Sequence, residues 1–239
     1  MLYRAIINLL LLSTLMLSFT SCSEGPKIPP PALAGSNNAE SSKIDFEALI
    51  RDAEKGDAIA QLTLGLMYFE GDVLSQDYPK ALYWFEKSAE QGDPKAQNLL
   101  GVIYMEGQVT PQDFEKAFIW TEKAAKQGVS FAQHNLGGIY YNGEGVPQNY
   151  QKAFEWFNKA AIQGNTSSQN NLGGMYASGL GVPKDAQKAY QWFSLSFTNG
   201  ERQAQVGRDT YIKKLTEKEI QEADMWVKNW KPTLEKQPE

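Results

Sequence analysis

Cysteine and histidine occur once each in the 239 residues, as Cys22 and His134. No intramolecular disulfide or cysteine redox pair can form, and neither a cysteine-built zinc site nor a two-histidine metal site can be assembled. Basic charge is short as well: 23 Lys and Arg stand against 28 Asp and Glu, for a formal charge of −5. Phosphate binding needs clustered cations that displace counterions, so nucleic acid is excluded as a partner. The same shortage argues against attachment to an anionic membrane through a basic patch. Also missing are the Gly-x-Ser-x-Gly elbow, a phosphate loop and paired carboxylates, the usual marks of hydrolytic and phosphoryl chemistry. No cofactor and no catalytic residue is expected.

Only one long apolar run is present. Residues 1–21 carry Arg4 and then an apolar stretch from Ala5 to Phe19, the layout of a secretory signal and too short for a convincing permanent span. The stretch closes with Leu17-Ser18-Phe19-Thr20-Ser21-Cys22, which resembles the lipobox of bacterial lipoproteins. Phe19 departs from it, standing where an aliphatic residue is usual. The resemblance implies cleavage before Cys22, acylation of Cys22 and anchorage in a lipid bilayer, each buried methylene adding about 0.8 kcal/mol. Ser23, in place of Asp, resembles the pattern that directs such proteins to the outer membrane. The expected place is the bacterial cell envelope, lipid-anchored at the outer membrane and facing the periplasm. A plain secretory signal, giving a periplasmic or secreted protein, is the alternative. Residues 22–43 hold Pro26, Pro29, Pro30 and Pro31 among Ser, Asn and Ala. They bury too little to fold and read as a flexible tether behind the lipidated cysteine.

Beyond the tether, one period of 36 residues organises the chain. Gly56, Gly92, Gly128, Gly164 and Gly200 keep that spacing, as do Gly65, Gly101, Gly137 and Gly173. So do Tyr68, Tyr104, Tyr140 and Tyr176; Gly71, Gly107, Gly143 and Gly179; and Trp84, Trp120, Trp156 and Trp192. Recurrence in this many columns marks a repeat array. Within a unit, Ala60, Leu64, Met67 and Tyr68 share one helical face, with Gly71 as the stop. A second helix follows from Tyr78 to Gln91, with Ala81, Trp84, Phe85, Ser88 and Ala89 on its inward stripe. The tryptophans follow the repeat phase and are expected in the core. The array reads as a half-repeat over 44–56 and units over 57–92, 93–128, 129–164 and 165–200. Residues 201–239 form a degenerate repeat and a capping helix. There Arg208 and Asp209 replace the Leu-Gly pair, Thr216 to Glu219 reads as a capping box, and Ile220, Ala223, Val227 and Trp230 form one stripe.

The elements Leu64-Gly65-x-x-Tyr68, Gly71, Lys80-Ala81-x-x-Trp84-Phe85 and Ala89-x-x-Gly92 resemble the Sel-one-like repeat family, a relative of the tetratricopeptide repeat. Fuller matches run from Asn135 to Pro147 and from Asn171 to Pro183, and the resemblance covers about residues 44–215. Val73 and Val109 depart from it, replacing the loop glycine kept at Gly145 and Gly181. The resemblance implies an all-α fold, an α/α solenoid in which 36-residue helical hairpins wind as a right-handed superhelix and the first helices line a concave groove. It implies an adaptor that holds other proteins together, here other envelope proteins. The cysteine-rich secreted branch, with a disulfide in each repeat, is excluded because the repeats hold no cysteine. By analogy with tetratricopeptide grooves, the inward positions include Leu62, Leu66, Phe69, Lys95, Asn98, Met105, Phe131, His134, Tyr141 and Asn170. Asn98, His134 and Asn170 share one column and could hydrogen-bond an extended peptide.

The leading functional expectation is a non-catalytic protein–protein scaffold tethered to the envelope. The alternative is a cell-wall (peptidoglycan) or small-molecule binding module, with groove aromatics and asparagines stacking on sugars. One expectation is structural and can be tested directly. Glycine within a helix costs about 1 kcal/mol relative to Ala, so its return at Gly65, Gly101, Gly137 and Gly173 implies close helix approach, with Trp and Tyr packing around it. Gly101→Leu should then destabilise the protein by about 1–3 kcal/mol through overpacking; an unchanged thermal midpoint would contradict this.

Overall fold

The structure, a computed structural model, describes residues 38–233, with side chains from Phe46 onward. The apolar leader, Cys22 and the proline-rich stretch lie outside the described residues. By packing, the chain divides between Ala48 and Leu49, and the packing below concerns the unit that begins at Leu49.

Every regular element among the described residues is helical. Helix α1 (Asn38–Glu54) leads four hairpins: α2 (Ala58–Glu70) with α3 (Tyr78–Glu90), α4 (Pro94–Glu106) with α5 (Phe114–Lys126), α6 (Ser130–Asn142) with α7 (Tyr150–Ile162), and α8 (Thr166–Ser178) with α9 (Ala186–Thr198). After them come α10 (Ala204–Tyr211), a 3-10 turn (Ile212–Lys214) and α11 (Glu217–Asn229). Each second helix packs on the first helix of its own hairpin and on that of the next, as an α/α solenoid requires. Helix α1 starts inside the segment expected to be tether. Between Ser36 and Lys55 there is no proline or glycine to stop it.

The eight hairpin helices are 13 residues long, a length that is marginal for an isolated helix. Their ends are therefore secured side chain by side chain. Asp57, Asp77, Asp93, Asp113, Asn149, Asn165 and Asp185 each accept a hydrogen bond from a backbone N–H in the first turn; such a cap contributes about 1 kcal/mol. Val129, ahead of α6, breaks the series and makes no side-chain cap. The first helices stop at Gly71, Gly107, Gly143 and Gly179, whose φ values of 69° to 77° lie in the left-handed region that L side chains resist.

Two columns of amides, not recognised in the sequence, join one hairpin to the next. Gln61 donates to the carbonyl of Ala53 (3.0 Å), Gln97 to Ala89 (3.0 Å), Gln133 to Ala125 (3.3 Å) and Gln169 to Ala161 (3.1 Å). Each of these glutamines accepts in turn from the end of the following second helix: Gln91 to Gln61 at 2.7 Å, Gln127 to Gln97 at 2.8 Å, Gln163 to Gln133 at 2.7 Å and Asn199 to Gln169 at 3.1 Å. Carbonyls left over at a helix end are thus satisfied where water is excluded.

The mid-helix glycines mark the closest approach within each hairpin, but the side chains at that contact differ from expectation. A Cβ on Gly137 would lie 2.6–2.9 Å from three ring atoms of Phe157, and one on Gly173 2.7–2.9 Å from the ring of Phe193. Phe85 takes the same place against Gly65, and Thr121 against Gly101. The tryptophans sit one position earlier, at the edge of the core, where Trp156 packs against it without meeting the glycine. Trp84, Trp120 and Trp156 are only half-buried, with Lys123 lying over Trp120 at 4.1 Å and Lys159 over Trp156 at 4.3 Å. Trp192 alone of the four is buried. Trp226 of α11 meets it edge-on at 5.2 Å, and Leu195 stands at the position that Lys123 and Lys159 hold in their units.

The array ends by a change of direction. In α10 the phase slips by two residues, and Gly207 rather than position 209 receives the Phe193 ring. Arg208 stacks on Phe197 at 4.2 Å and pairs with Asp209. The capping box of Thr216 and Glu219 forms, and α11 then packs back onto α9. There Asp224 accepts from Tyr190 at 2.9 Å, and Thr233 donates to the carbonyl of Ile162 at 2.8 Å.

Neighbouring glycines in α6 provide a matched pair of tests. A Cβ on Gly137 collides with Phe157, whereas one on Gly138 meets nothing within 4 Å. Gly137→Ala should lower stability by about 1–3 kcal/mol through overpacking, and Gly138→Ala should raise it by up to about 1 kcal/mol through helix propensity. Thermal midpoints of the two variants and the parent decide; equal shifts would refute the close-contact account.

Candidate functional site

The first helices α2, α4, α6 and α8 recur along the array, each separated from the next in sequence by a second helix. A polar bond joins two of these helices directly: the Nδ1 of His134 on α6 lies 2.8 Å from the Oγ of Ser168 on α8. Burial pushes the His134 ring well below its ordinary value, to about 4, so the ring is neutral at physiological pH. It also packs on Phe157 with centroids 5.5 Å apart. The sequence pattern offered no serine near His134, but the fold brings Ser168 to it, and that serine is fully buried between the helices.

The expected groove residues fall into three groups. Leu62 and Leu66, each 8% exposed, and Asn98, 2% exposed, are buried in the chain itself. Phe69, Met105, Phe131, His134, Tyr141 and Asn170 are half-buried and keep an accessible edge, and Lys95 is exposed. Two aromatics are braced from behind: Phe69 by Tyr78 at 5.5 Å and Phe85 at 6.1 Å, and Tyr141 by Tyr150 at 5.2 Å. Rigid aromatic edges of this kind can receive a partner at little cost in conformational entropy. The hydrogen-bonding column is uneven. Asn170 is within reach of a partner, His134 is engaged with Ser168, and the Oδ1 of Asn98 is buried without a partner.

The face changes character along its length. Ile59, 71% exposed, opens it on an apolar note, and Asn170, Gly174 and Ser178 close it with small and polar groups. Carboxylates collect at its N-terminal end. Burial raises Glu70 above the ordinary value, aided by the neighbouring charge of Asp72, and burial alone raises Glu106. Thr121, not singled out by the sequence reading, lies against Gly101, with its hydroxyl buried and unpaired. Its signal was available as a break in the column Phe85, Thr121, Phe157, Phe193. Among the described residues, no group of three His, Cys, Asp or Glu side chains could hold a metal ion, and no helix is long and apolar enough to cross a membrane.

A family model for the Sel1 repeat matches four consecutive segments, residues 58–93, 94–129, 130–165 and 166–201. Two solved structures are similar. One is a protective antigen present in uropathogenic Escherichia coli strains and displaying an SLR fold, 36% identical over 77% of this chain and 40% of that one, with a TM-score of 0.70. The other is a Sel1 repeat protein from Oxalobacter formigenes, 36% identical over 70% of this chain and 48% of that one, with a TM-score of 0.61. The chain thus spans less than half the length of either structure. No curated protein matches it.

The neutral His134 makes stability depend on acid. With the folded value lowered from 6.5 to about 4, the unfolded chain binds the proton first, so stability is complete above about pH 6.5 and is lost as pH falls toward 4. The loss is of order 2–3 kcal/mol at most. Thermal midpoints measured from pH 7.5 to 4.5 should fall further for the parent than for His134→Gln; parallel curves would show that the ring does not titrate in this way.

Proposed function

The chain belongs to the Sel1 repeat family, and from that premise we propose that it is a non-catalytic scaffold of the bacterial envelope that binds peptide segments of other proteins along its first helices. Sel1-repeat proteins are generally protein-interaction scaffolds. One observation supports the reading for this chain: four hairpins of equal helix length repeat their first helices, with half-exposed, ring-braced aromatics at Phe69 and Tyr141 and small or polar groups in the last unit. A row of that kind can follow an extended chain and read its side chains one unit at a time.

In this reading Cys22 is acylated and holds the array at the membrane, with the proline-rich stretch as spacer. The chain then faces the periplasm at the outer membrane, its partners are other envelope proteins, and nucleic acid has no place. The lipobox-like residues before Cys22 and the shortage of basic charge support this assignment.

Crosslinking in cells followed by capture tests both halves. Lys95→Glu, Phe131→Glu and Asn170→Glu, combined in one chain, alter accessible groove positions and leave the buried Asn98 in place. The variant should retain its thermal midpoint and lose capture of specific envelope proteins by about tenfold or more. Equal capture would move the binding surface elsewhere. Binding of purified protein to peptidoglycan, with no protein captured, would favour the cell-wall reading. Cys22→Ala should shift the protein from the membrane to the soluble fraction; unchanged membrane association would remove the lipid anchor from the proposal.

A further inference from the structure

Four amides at the ends of second helices donate to the buried glutamines of the first helices: Gln91, Gln127, Gln163 and Asn199. Glycine follows each of them, as Gly92, Gly128, Gly164 and Gly200, with φ between 85° and 102°. The fourth amide is carried on a side chain one methylene shorter than the other three, and that difference changes its chemistry. When the following backbone nitrogen attacks the side-chain carbonyl, asparagine closes a five-membered ring and glutamine a six-membered one. The smaller ring forms far more readily, and glycine has no Cβ to hinder the attack. Of the four, Asn199 is therefore the one open to spontaneous loss of its amide.

The chain holds a second Asn-Gly pair, Asn142-Gly143, and the fold separates the two. The Asn142 amide donates at the surface to the Oε1 of Glu144 at 3.0 Å, a bond that water can replace. The Asn199 amide donates to the Oε1 of Gln169 at 3.1 Å. Gln169 is fully buried, and its own Nε2 is committed to the carbonyl of Ala161 at 3.1 Å. The oxygen of Gln169 thus faces Asn199 and needs a donor there.

We infer that Asn199 is a site of spontaneous deamidation, and that the modification opens the amide column joining α7, α8 and α9. The Gly200 nitrogen bonds to Asn199 Cγ, the side-chain nitrogen leaves as ammonia, and water opens the resulting succinimide to aspartate or isoaspartate. The folded turn restrains the reaction, because the Gly200 N–H donates to the carbonyl of Phe197 at 3.0 Å and Gln169 holds the Asn199 side chain. The reaction proceeds when the end of α9 frays, and both Asn199 and Gly200 are exposed there. Either product puts a carboxylate, which only accepts, against the oxygen of Gln169. Turning Gln169 over would set that oxygen against the Ala161 carbonyl instead. The new charge also lies at the C-terminal end of α9, where the helix dipole opposes it. The end of α9 is then released from α8.

Incubation of the full chain in mildly alkaline buffer, followed by peptide mass spectrometry, tests the site. Aspartate and isoaspartate should accumulate at Asn199 and not at Asn135 or Asn171, which precede Leu136 and Leu172. An Asn199 amide as durable as those two overturns the assignment. Asn199→Gln, which copies the other three units, should keep the thermal midpoint and abolish the conversion. Asn199→Asp should lower the midpoint by about 2–4 °C relative to Asn199→Gln. Asn142→Asp adds the same charge at the end of another helix and should lower it less. Equal midpoints for Asn199→Asp and Asn199→Gln, or an equal loss for Asn142→Asp, overturn the opening of the amide column.

Discussion

Where a first helix carries glycine at its midpoint, the facing side chain of the second helix comes close enough to fill the space a Cβ would need, and the hairpin takes its spacing from that contact. Phe85, Phe157 and Phe193 use it to lay a ring across the first helix. The glycine is unfavourable for the helix itself, so the ring packing must more than offset it. Other features follow from that geometry. With phenylalanine against the glycine, the neighbouring tryptophan is left at the edge of the core, and lysines lie over two of the four. Where a further helix covers the tryptophan, at Trp192, leucine replaces lysine.

Hairpins become an array through hydrogen bonds as well as apolar contact. Each buried glutamine of a first helix accepts from the amide that ends its partner helix and donates to a carbonyl at the end of the preceding one. A solenoid is stabilised chiefly by its nearest neighbours, and an amide that bonds in both directions fixes register in a way that apolar packing alone does not. The helix-end carbonyls could not otherwise be satisfied away from water.

Binding capacity on the first-helix face is what packing leaves over. Leu62 and Leu66 are consumed by the core, and His134 is spent on Ser168 and Phe157. Phe69 and Tyr141 are braced from below and keep one edge free. What remains accessible on the first helices is therefore a pair of fixed aromatics and a few polar groups.

Much of this was legible in the sequence because a repeat states each structural rule four times. The 36-residue columns gave the hairpins, the glycine stops, the close helix approach and the capping box at Thr216 and Glu219. The glutamine columns and the phenylalanine column carry the same period and were open to the same reading. Periodicity identifies which positions matter, but not which way a side chain points. Trp84 and Phe85 are adjacent and both apolar, and only the packed hairpin shows that phenylalanine meets the glycine while tryptophan stays half-buried. The departures from period, Gly207 and α11, depended on tertiary structure for the same reason: their partners, Phe193 and Trp192, are set by where the chain turns. The sequence by itself determined the helices, their ends and their order, which are local and repeated. Burial of each groove residue, and the unpaired atoms of Asn98 and Thr121, were decided only when helices from different parts of the chain were brought together.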